Sequence, residues 1–192
     1  ESFIMGKMSY YSDAWAMHYD VCPCDVHLTD YLEARGIKDS NVFHFGTGTH
    51  HHVGIRSQEN GLGNRVLGIT ASIEEAEAYT KLAIERPEVS RIYKAFFGDI
   101  YVLEPKLLPN FDVVALVHLC EFRTPAMDAY GALTDRQLVD LFTAKLNPGG
   151  HMIFYTGSMA WDRAQPIVEQ WAKDAGFDKT EQFKTLAVYR KK

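Results

Sequence analysis

The sequence lacks several things, and each absence excludes a class of protein. It has only three cysteines, Cys22, Cys24 and Cys120. An odd, low count argues against a disulfide framework and fits a reducing compartment. Cys22 and Cys24 are one residue apart, too close for an easy bridge. No run of ~18 apolar residues is present, so no membrane-spanning helix is expected. No charged start, apolar stretch and cleavage site of a secretory leader is legible, and a cytoplasmic location is expected. Like charges form no block: 20 Lys and Arg against 25 Asp and Glu leave a net charge of -5. That mildly acidic balance supports neither nucleic acid nor an anionic membrane as a partner. Arg190, Lys191 and Lys192 read as a solvated tail. No internal repeat is visible. The first residue is a glutamate, and ESFIMGK is expected to be a frayed start.

What remains is the profile of an ordinary globular chain. Its 192 residues suit one domain with one sizeable core. A hydrophobic share of 46% excludes intrinsic disorder. Ser12 to Tyr19 is aromatic-rich and expected to be helical. Asp25 to Arg35 is a second helix, with His27, Leu28, Tyr31 and Leu32 at helical spacing and Gly36 closing it. Short apolar strands are expected at Asn41–Phe45, Arg65–Ile69, Arg91–Phe97, Phe111–Leu116 and His151–Tyr155. Ser72 and Glu75 read as a capping box for a helix that ends before Pro87. Asp135–Leu146 is an amphipathic helix stopped by Pro148-Gly149-Gly150, and Gln165–Ala175 is a helix closed by Gly176. Lys179–Arg190 is expected to form two strands with a turn near Lys184.

Strands separated by helices predict an α/β fold, a mostly parallel sheet covered on both faces, with the final antiparallel pair at one edge. Ligands of such sheets bind beyond the carboxyl ends of the strands, where the strand order reverses. His44 to His52, Thr70, Asp99 and His118 are expected to converge there.

The most informative stretch is Asn41 to Gly54, NVFHFGTGTHHHVG. A strand runs into a glycine turn, and three histidines follow. Gly46 and Gly48 permit a tight turn that exposes backbone donors to a ligand; the plainer reading is a tight turn alone. His50, His51 and His52 open a helix, with one or two rings facing a pocket. Imidazole and thiolate suit zinc, but adjacent side chains do not converge on one ion, so no metal site is assigned.

The order of motifs resembles that of the class I methyltransferases that use S-adenosylmethionine, from about Val26 to the end. FHFGTGT resembles their glycine-rich first motif and RVLGITAS their second strand. FFGD resembles the segment whose aspartate reads adenine. FDVVALVHLCEF resembles the fourth strand and the loop over the reaction centre, and LNPGGHMIFY the fifth strand. The resemblance implies a Rossmann-like, seven-stranded sheet with a C-terminal antiparallel hairpin. It divides the chain into an aromatic cap segment, residues 1–25, and a methyltransferase-like domain, residues 26–192. It implies S-adenosylmethionine as cofactor and a small-molecule acceptor, because the short chain leaves no separate substrate domain.

Carried over position by position, the cofactor site comprises His44, Gly46, Gly48, His50, Thr70 and Asp99. Three of these depart from the family pattern. His44 stands where an acid anchors the amino acid end, His50 where the third glycine lies, and Thr70 where an acid accepts from both ribose hydroxyls. An aspartate at Thr70 is therefore expected to tighten the cofactor. The alternative implied by these departures is a methyltransferase-like protein that has lost the cofactor and serves as a binding or interaction module. His118 and Glu121, past the fourth strand, are the catalytic candidates, His118 taking a proton and Glu121 orienting it. Cys120 reads as a buried small hydrophobe. Asp112 reads as structural, bracing the glycine turn. The resemblance implies that Tyr10, Tyr11, Trp15, His18 and Tyr19 close over the ligands, ordinary packing on the sheet being the plainer reading, and Trp161, Asp162 and Arg163 are expected to lie in a rim loop.

Overall fold

The structure is a computed structural model and describes residues 14–20 and 22–192. The elements run α1 (Cys24–Ala34), β1 (Asn41–Phe45), α2 (His52–Glu59), β2 (Arg65–Thr70), α3 (Ile73–Glu85), α4 (Pro87–Ile92) and β3 (Tyr93–Phe97). There follow β4 (Phe111–Ala115), α5 (Asp135–Lys145), β5 (Leu146–Tyr155), α6 (Trp161–Ala175), β6 (Asp178–Phe183) and β7 (Leu186–Arg190). The strands form one seven-stranded sheet in the order β3-β2-β1-β4-β5-β7-β6. β1 to β5 pair in parallel, and β7 runs antiparallel to both β5 and β6. The expected α/β fold with its antiparallel edge is what forms.

Side-chain alternation sorts the strands' residues between two cores. In β4 and the residue after it, Val113 and Ala115 face one cluster while Val114 and Leu116 face the other. The first core packs α5 and α6 against the sheet through Leu138, Phe142, Val168 and Trp171. The second packs α1, α2 and α4 through Leu28, Leu32, Val53 and Val89. Both faces are covered, which is why the central strands are apolar along nearly their whole length. Phe43 is fully buried between Phe111 and Phe142, at ring separations of 5.4 and 4.3 Å.

Several boundaries differ from the sequence expectations. Ala14 to Asp20 forms no helix, and Ser12 lies outside the described residues with Tyr10 and Tyr11. The stretch expected to begin β3 is helical at Arg91 and Ile92, because Pro87 starts α4 at its first turn. α6 begins at Trp161 rather than Gln165, behind Ser158, whose hydroxyl accepts from the Ala160 amide at 3.1 Å. Trp161, Asp162 and Arg163 are thus helical and not a rim loop. The Ser72–Glu75 box is half formed. Ser72 Oγ accepts from Glu75 N at 3.4 Å, but the Ser72 amide donates to Thr70 Oγ1 at 3.0 Å. Asp112 braces the other end of the sheet from the glycine turn, accepting from Asn41 N at 2.9 Å and Asn147 Nδ2 at 3.0 Å. Among the described residues, no helix is long and apolar enough to cross a membrane.

Phe43→Ala empties space between two rings that cannot close up. Urea unfolding is expected to register a loss of ~3–5 kcal/mol with little change in slope.

Candidate functional site

β1 and β4 are neighbours at the point where the strand order reverses, and their carboxyl ends open onto a cavity of about 260 Å³. That is just under the ~300–1,000 Å³ of small-molecule sites, enough for one modest ligand. Gly46, Gly48, His50, Thr70, Asp99 and His118 all line it. The topology therefore brings together most of the residues expected to converge, but His51 and His52 turn away and His44 does not reach the cavity. That ring is 1% exposed and sits behind the wall.

The turn after β1 needs its glycines. Gly46 and Gly48 have φ of +85° and +60°, where a side chain is strained. A Cβ at Gly46 would lie 2.6 Å from His118 Cδ2, and one at Gly48 2.4 Å from His50 Nε2. The three histidines then part company. His50 stays at the cavity, its Nδ1 accepting from His52 N at 3.0 Å. His51 turns inward through a left-handed backbone, φ +46°. Its Nε2 donates to the Glu75 carbonyl at 2.9 Å and its Nδ1 accepts from the Tyr93 hydroxyl at 2.6 Å. His52 pairs with Thr29 at 3.2 Å. One ring of three reaches the cavity. Among the described residues, no group of three or more His, Cys, Asp or Glu is placed to hold a metal ion.

Two carboxylates that sequence reasoning passed over stand beside the turn. Asp25, in the first turn of α1, accepts from His44 Nε2 at 2.7 Å through Oδ1, and His50 Nε2 lies 3.4 Å from Oδ2. Burial works against its charge, but His44, with His50 and His118, more than offsets this and holds the carboxyl down to about 2. Glu75, in the first turn of α3, is 3% exposed. Its Oε1 accepts from Thr47 and Thr70 hydroxyls, each at 3.3 Å, and its Oε2 from Trp15 N at 3.4 Å. Burial pushes its pKa up, partly countered by those donors and by the Gly48 amide. Asp25 was legible only as the opening of a helix, and Glu75 only as a partner for Ser72.

Asp99 ends the loop after β3 and also lines the cavity. Its Oδ1 accepts from Tyr101 N at 2.8 Å and its Oδ2 from the Tyr130 hydroxyl at 3.0 Å. These turn contacts and the cavity position coexist.

Across the cavity, His118 Nδ1 donates to Glu121 Oε2 at 2.7 Å, and Ser158 Oγ donates to the same oxygen at 3.1 Å. Burial pulls the His118 pKa down, yet the hydrogen bond and charge of Glu121 prevail and raise it overall. The ring edge carrying Nε2 and Cδ2 faces Gly46. Cys120 is held by its main chain, its amide on Asp135 Oδ1 at 3.1 Å and its carbonyl accepting from Arg163 Nη2 at 3.0 Å. Burial pushes its thiol up to about 12, so it is no nucleophile. Arg163 is therefore a staple and not a rim contact.

Trp15, Met17, His18 and Cys22 cover the cavity from the chain before α1, while Tyr19 lies outside it, edge-on to His27. The Cys22 and Cys24 sulfurs are 3.5 Å apart, nearer than their spacing suggested. Among the described residues lining the cavity there are four carboxylates, Asp25, Glu75, Asp99 and Glu121, and neither lysine nor arginine.

No family model matches the chain, and no curated protein matches its sequence. Solved structures do match its fold. A precorrin-6y C5,15-methyltransferase from Geobacter metallireducens is 14% identical, with a TM-score of 0.59 over 95% of this chain and 97% of that one. The N-methyltransferase NodS from Bradyrhizobium japonicum, in complex with S-adenosylhomocysteine, is 15% identical, with a TM-score of 0.56 over 88% and 86%. Coclaurine N-methyltransferase, bound to N-methylheliamine and S-adenosylhomocysteine, is 15% identical, with a TM-score of 0.50. This chain spans 40% of that last protein's length, and 78% of this chain is covered. The chain has the Rossmann-like fold of the class I methyltransferases.

The buried neutral imidazole of His51 links the turn to pH. Burial lowers its pKa from 6.5 to about 4. The unfolded chain therefore binds the extra proton first, and stability is lost as pH falls from 6.5 towards 4. The thermal midpoint is expected to drop between pH 7 and pH 5, and His51→Gln to flatten part of that slope.

Proposed function

We propose that the chain binds S-adenosylmethionine in this cavity and transfers its methyl group to a small neutral or cationic acceptor. One observation carries the reading: Asp25 and Glu75 put carboxylates beside the glycine turn, although the usual positions, His44 and Thr70, have none. A ligand with an ammonium group and paired hydroxyls fits such a site. The likeness in fold, and the S-adenosylhomocysteine in two of the resembled structures, supports the same ligand. The reading in which the cofactor is lost rested on the missing acids, and their charge returns from α1 and α3.

The bound cofactor supplies a methyl group on a sulfonium sulfur, open to displacement in line. The chain's residues do the rest. Gly46 and Gly48 let the ligand approach the main chain. Asp25, ionised by its histidines, holds the amino group, and Glu75 accepts from the ribose hydroxyls. Asp99 accepts from the adenine amino group. Trp15 covers the site and keeps water out. His118 takes the acceptor's proton at Nε2, while Glu121 keeps Nδ1 protonated and Ser158 steadies Glu121. An anionic acceptor meets neither lysine nor arginine among the described residues that line the cavity. Met17, Met127, Met159 and Phe122 offer apolar contact to the acceptor's body.

Calorimetry tests the cofactor. S-adenosylhomocysteine is expected to bind with a roughly micromolar Kd. Glu75→Gln is expected to weaken it ~tenfold or more, the worth of a hydrogen bond to a charged group. Thr70→Asp, which restores the family's acid, is expected to weaken binding too. It sets a second carboxylate against Glu75, reversing the effect expected from the motif alone. No heat at millimolar ligand would remove the reading.

The pH profile tests the base, with an acceptor drawn from a screen of amines, phenols and thiols. The rate is expected to rise with pH through a pKa above the ordinary 6.5, because the base acts neutral and Glu121 raises its pKa. Glu121→Gln moves that inflection down, and His118→Gln lowers kcat by ~10²–10⁴. A profile that Glu121→Gln leaves in place would sink the pairing as the catalytic unit.

A further inference from the structure

We propose that Cys22 and Cys24 form a peroxide-sensitive thiol pair on the cavity wall, which closes reversibly to a disulfide. The geometry is the first ground. The two sulfurs lie 3.5 Å apart, so closing to the ~2.05 Å of a disulfide needs only a small approach. Pro23 between them has φ −84° and ψ 10°, a folded conformation that turns its neighbours to the same side. Cys22 lines the cavity and is half-buried, so an oxidant reaches it. Cys24 is 2% exposed and waits behind it.

The surroundings divide the two roles. Cys24 hydrogen-bonds the Cys22 sulfur, and the His118 imidazole lies near it. The hydrogen bond from Cys24 is the largest influence. It and His118 outweigh burial and the Asp25 carboxylate, bringing the Cys22 thiol down to about 6. Cys24 moves the opposite way, raised by its bond to Cys22, by burial and by Asp25. Cys22, half-buried at the cavity, is the sulfur an oxidant meets first and so the attacking thiol, and the enclosed Cys24 is the resolving thiol.

The chemistry balances with a hydroperoxide as oxidant. The Cys22 thiolate attacks one peroxide oxygen, the O–O bond breaks, and the other oxygen leaves as water or an alcohol after taking a proton. Cys22 becomes a sulfenic acid. Cys24 attacks that sulfur, and its proton leaves with the sulfenic hydroxyl as water. Two electrons pass from the sulfur pair to the peroxide. Closure also draws the Cys24 sulfur away from Asp25 Oδ1, which lies 3.6 Å from it in the reduced pair. Asp25 is the partner of His44, so oxidation disturbs the proposed cofactor cradle; that consequence alone rests on the reading above.

The test uses the full chain, stoichiometric hydrogen peroxide, alkylation with N-ethylmaleimide after denaturation, and peptide mapping by mass. The expected result is a Cys22–Cys24 peptide lighter by two hydrogens and unalkylated, restored by dithiothreitol, with Cys120 alkylated throughout. Cys22→Ser, at a half-buried position, is expected to abolish the change while the fold is retained by circular dichroism. Cys24→Ala is expected to stop at a sulfenic acid that dimedone traps. A peptide still alkylated at both sulfurs, or oxidation appearing only as a Cys22 bridge between two chains, would overturn the proposal. No ligand enters this readout, so a failure here is separate from a failure to bind cofactor.

Discussion

Four parts of the chain meet at one buried carboxylate. Glu75 starts α3, yet its oxygens take hydrogen bonds from the end of β2, from the glycine turn after β1 and from the segment before α1. A carboxylate taken out of water is tolerated only when donors surround it. Thr70, Thr47, Gly48 and Trp15 are those donors, so the position of each is tied to the others. The cavity keeps its shape because this demand is met from all sides.

The same logic applies to the second buried carboxylate, Asp25. A strand-end acid and its glycine turn normally lie next to each other in sequence. Here the imidazole of His44 occupies the strand end and draws Asp25 across from α1. The pair sets a carboxylate beside the glycine turn from a residue nineteen positions earlier. Glu75 does likewise for Thr70 from one helical turn further on.

Much of the fold was legible in the sequence because it rests on patterns that local chemistry enforces. Apolar strands such as Phe111–Ala115, the break at Pro148-Gly149-Gly150 and the αL stop at Gly176 need no distant partner to be read. The order of the motifs then led to the sheet. The errors have physical causes of the opposite kind. Arg91 and Ile92 look like strand residues, but Pro87 commits them to a helix. Ser72 and Glu75 have capping-box spacing, but Thr70 is nearer to the Ser72 amide and the glutamate is drawn to the turn. In the site, Gly46, Gly48, Thr70, Asp99 and His118 were found because the topology delivers strand ends to one place. Asp25 and Glu75 were not, because nothing local in a helix's first turn reveals that its side chain is aimed across the sheet.

The loop after β4 is held from outside its own sequence. Cys120 adopts a left-handed backbone, φ +69°, and Asp135 and Arg163 grip its amide and carbonyl from α5 and α6. Tyr101 grips Asp135 in turn, at 2.6 Å. A backbone conformation of this kind persists only when its surroundings over-determine it. His118 and Glu121 flank the gripped residue, so their separation is set before any guest arrives. Such a site selects by shape at entry instead of moulding itself around what enters, and it spends little ordering entropy on each guest. Any change in what the cavity admits would then fall to Met17 and Met159, which lie on other segments of its wall, rather than to the loop, which is held.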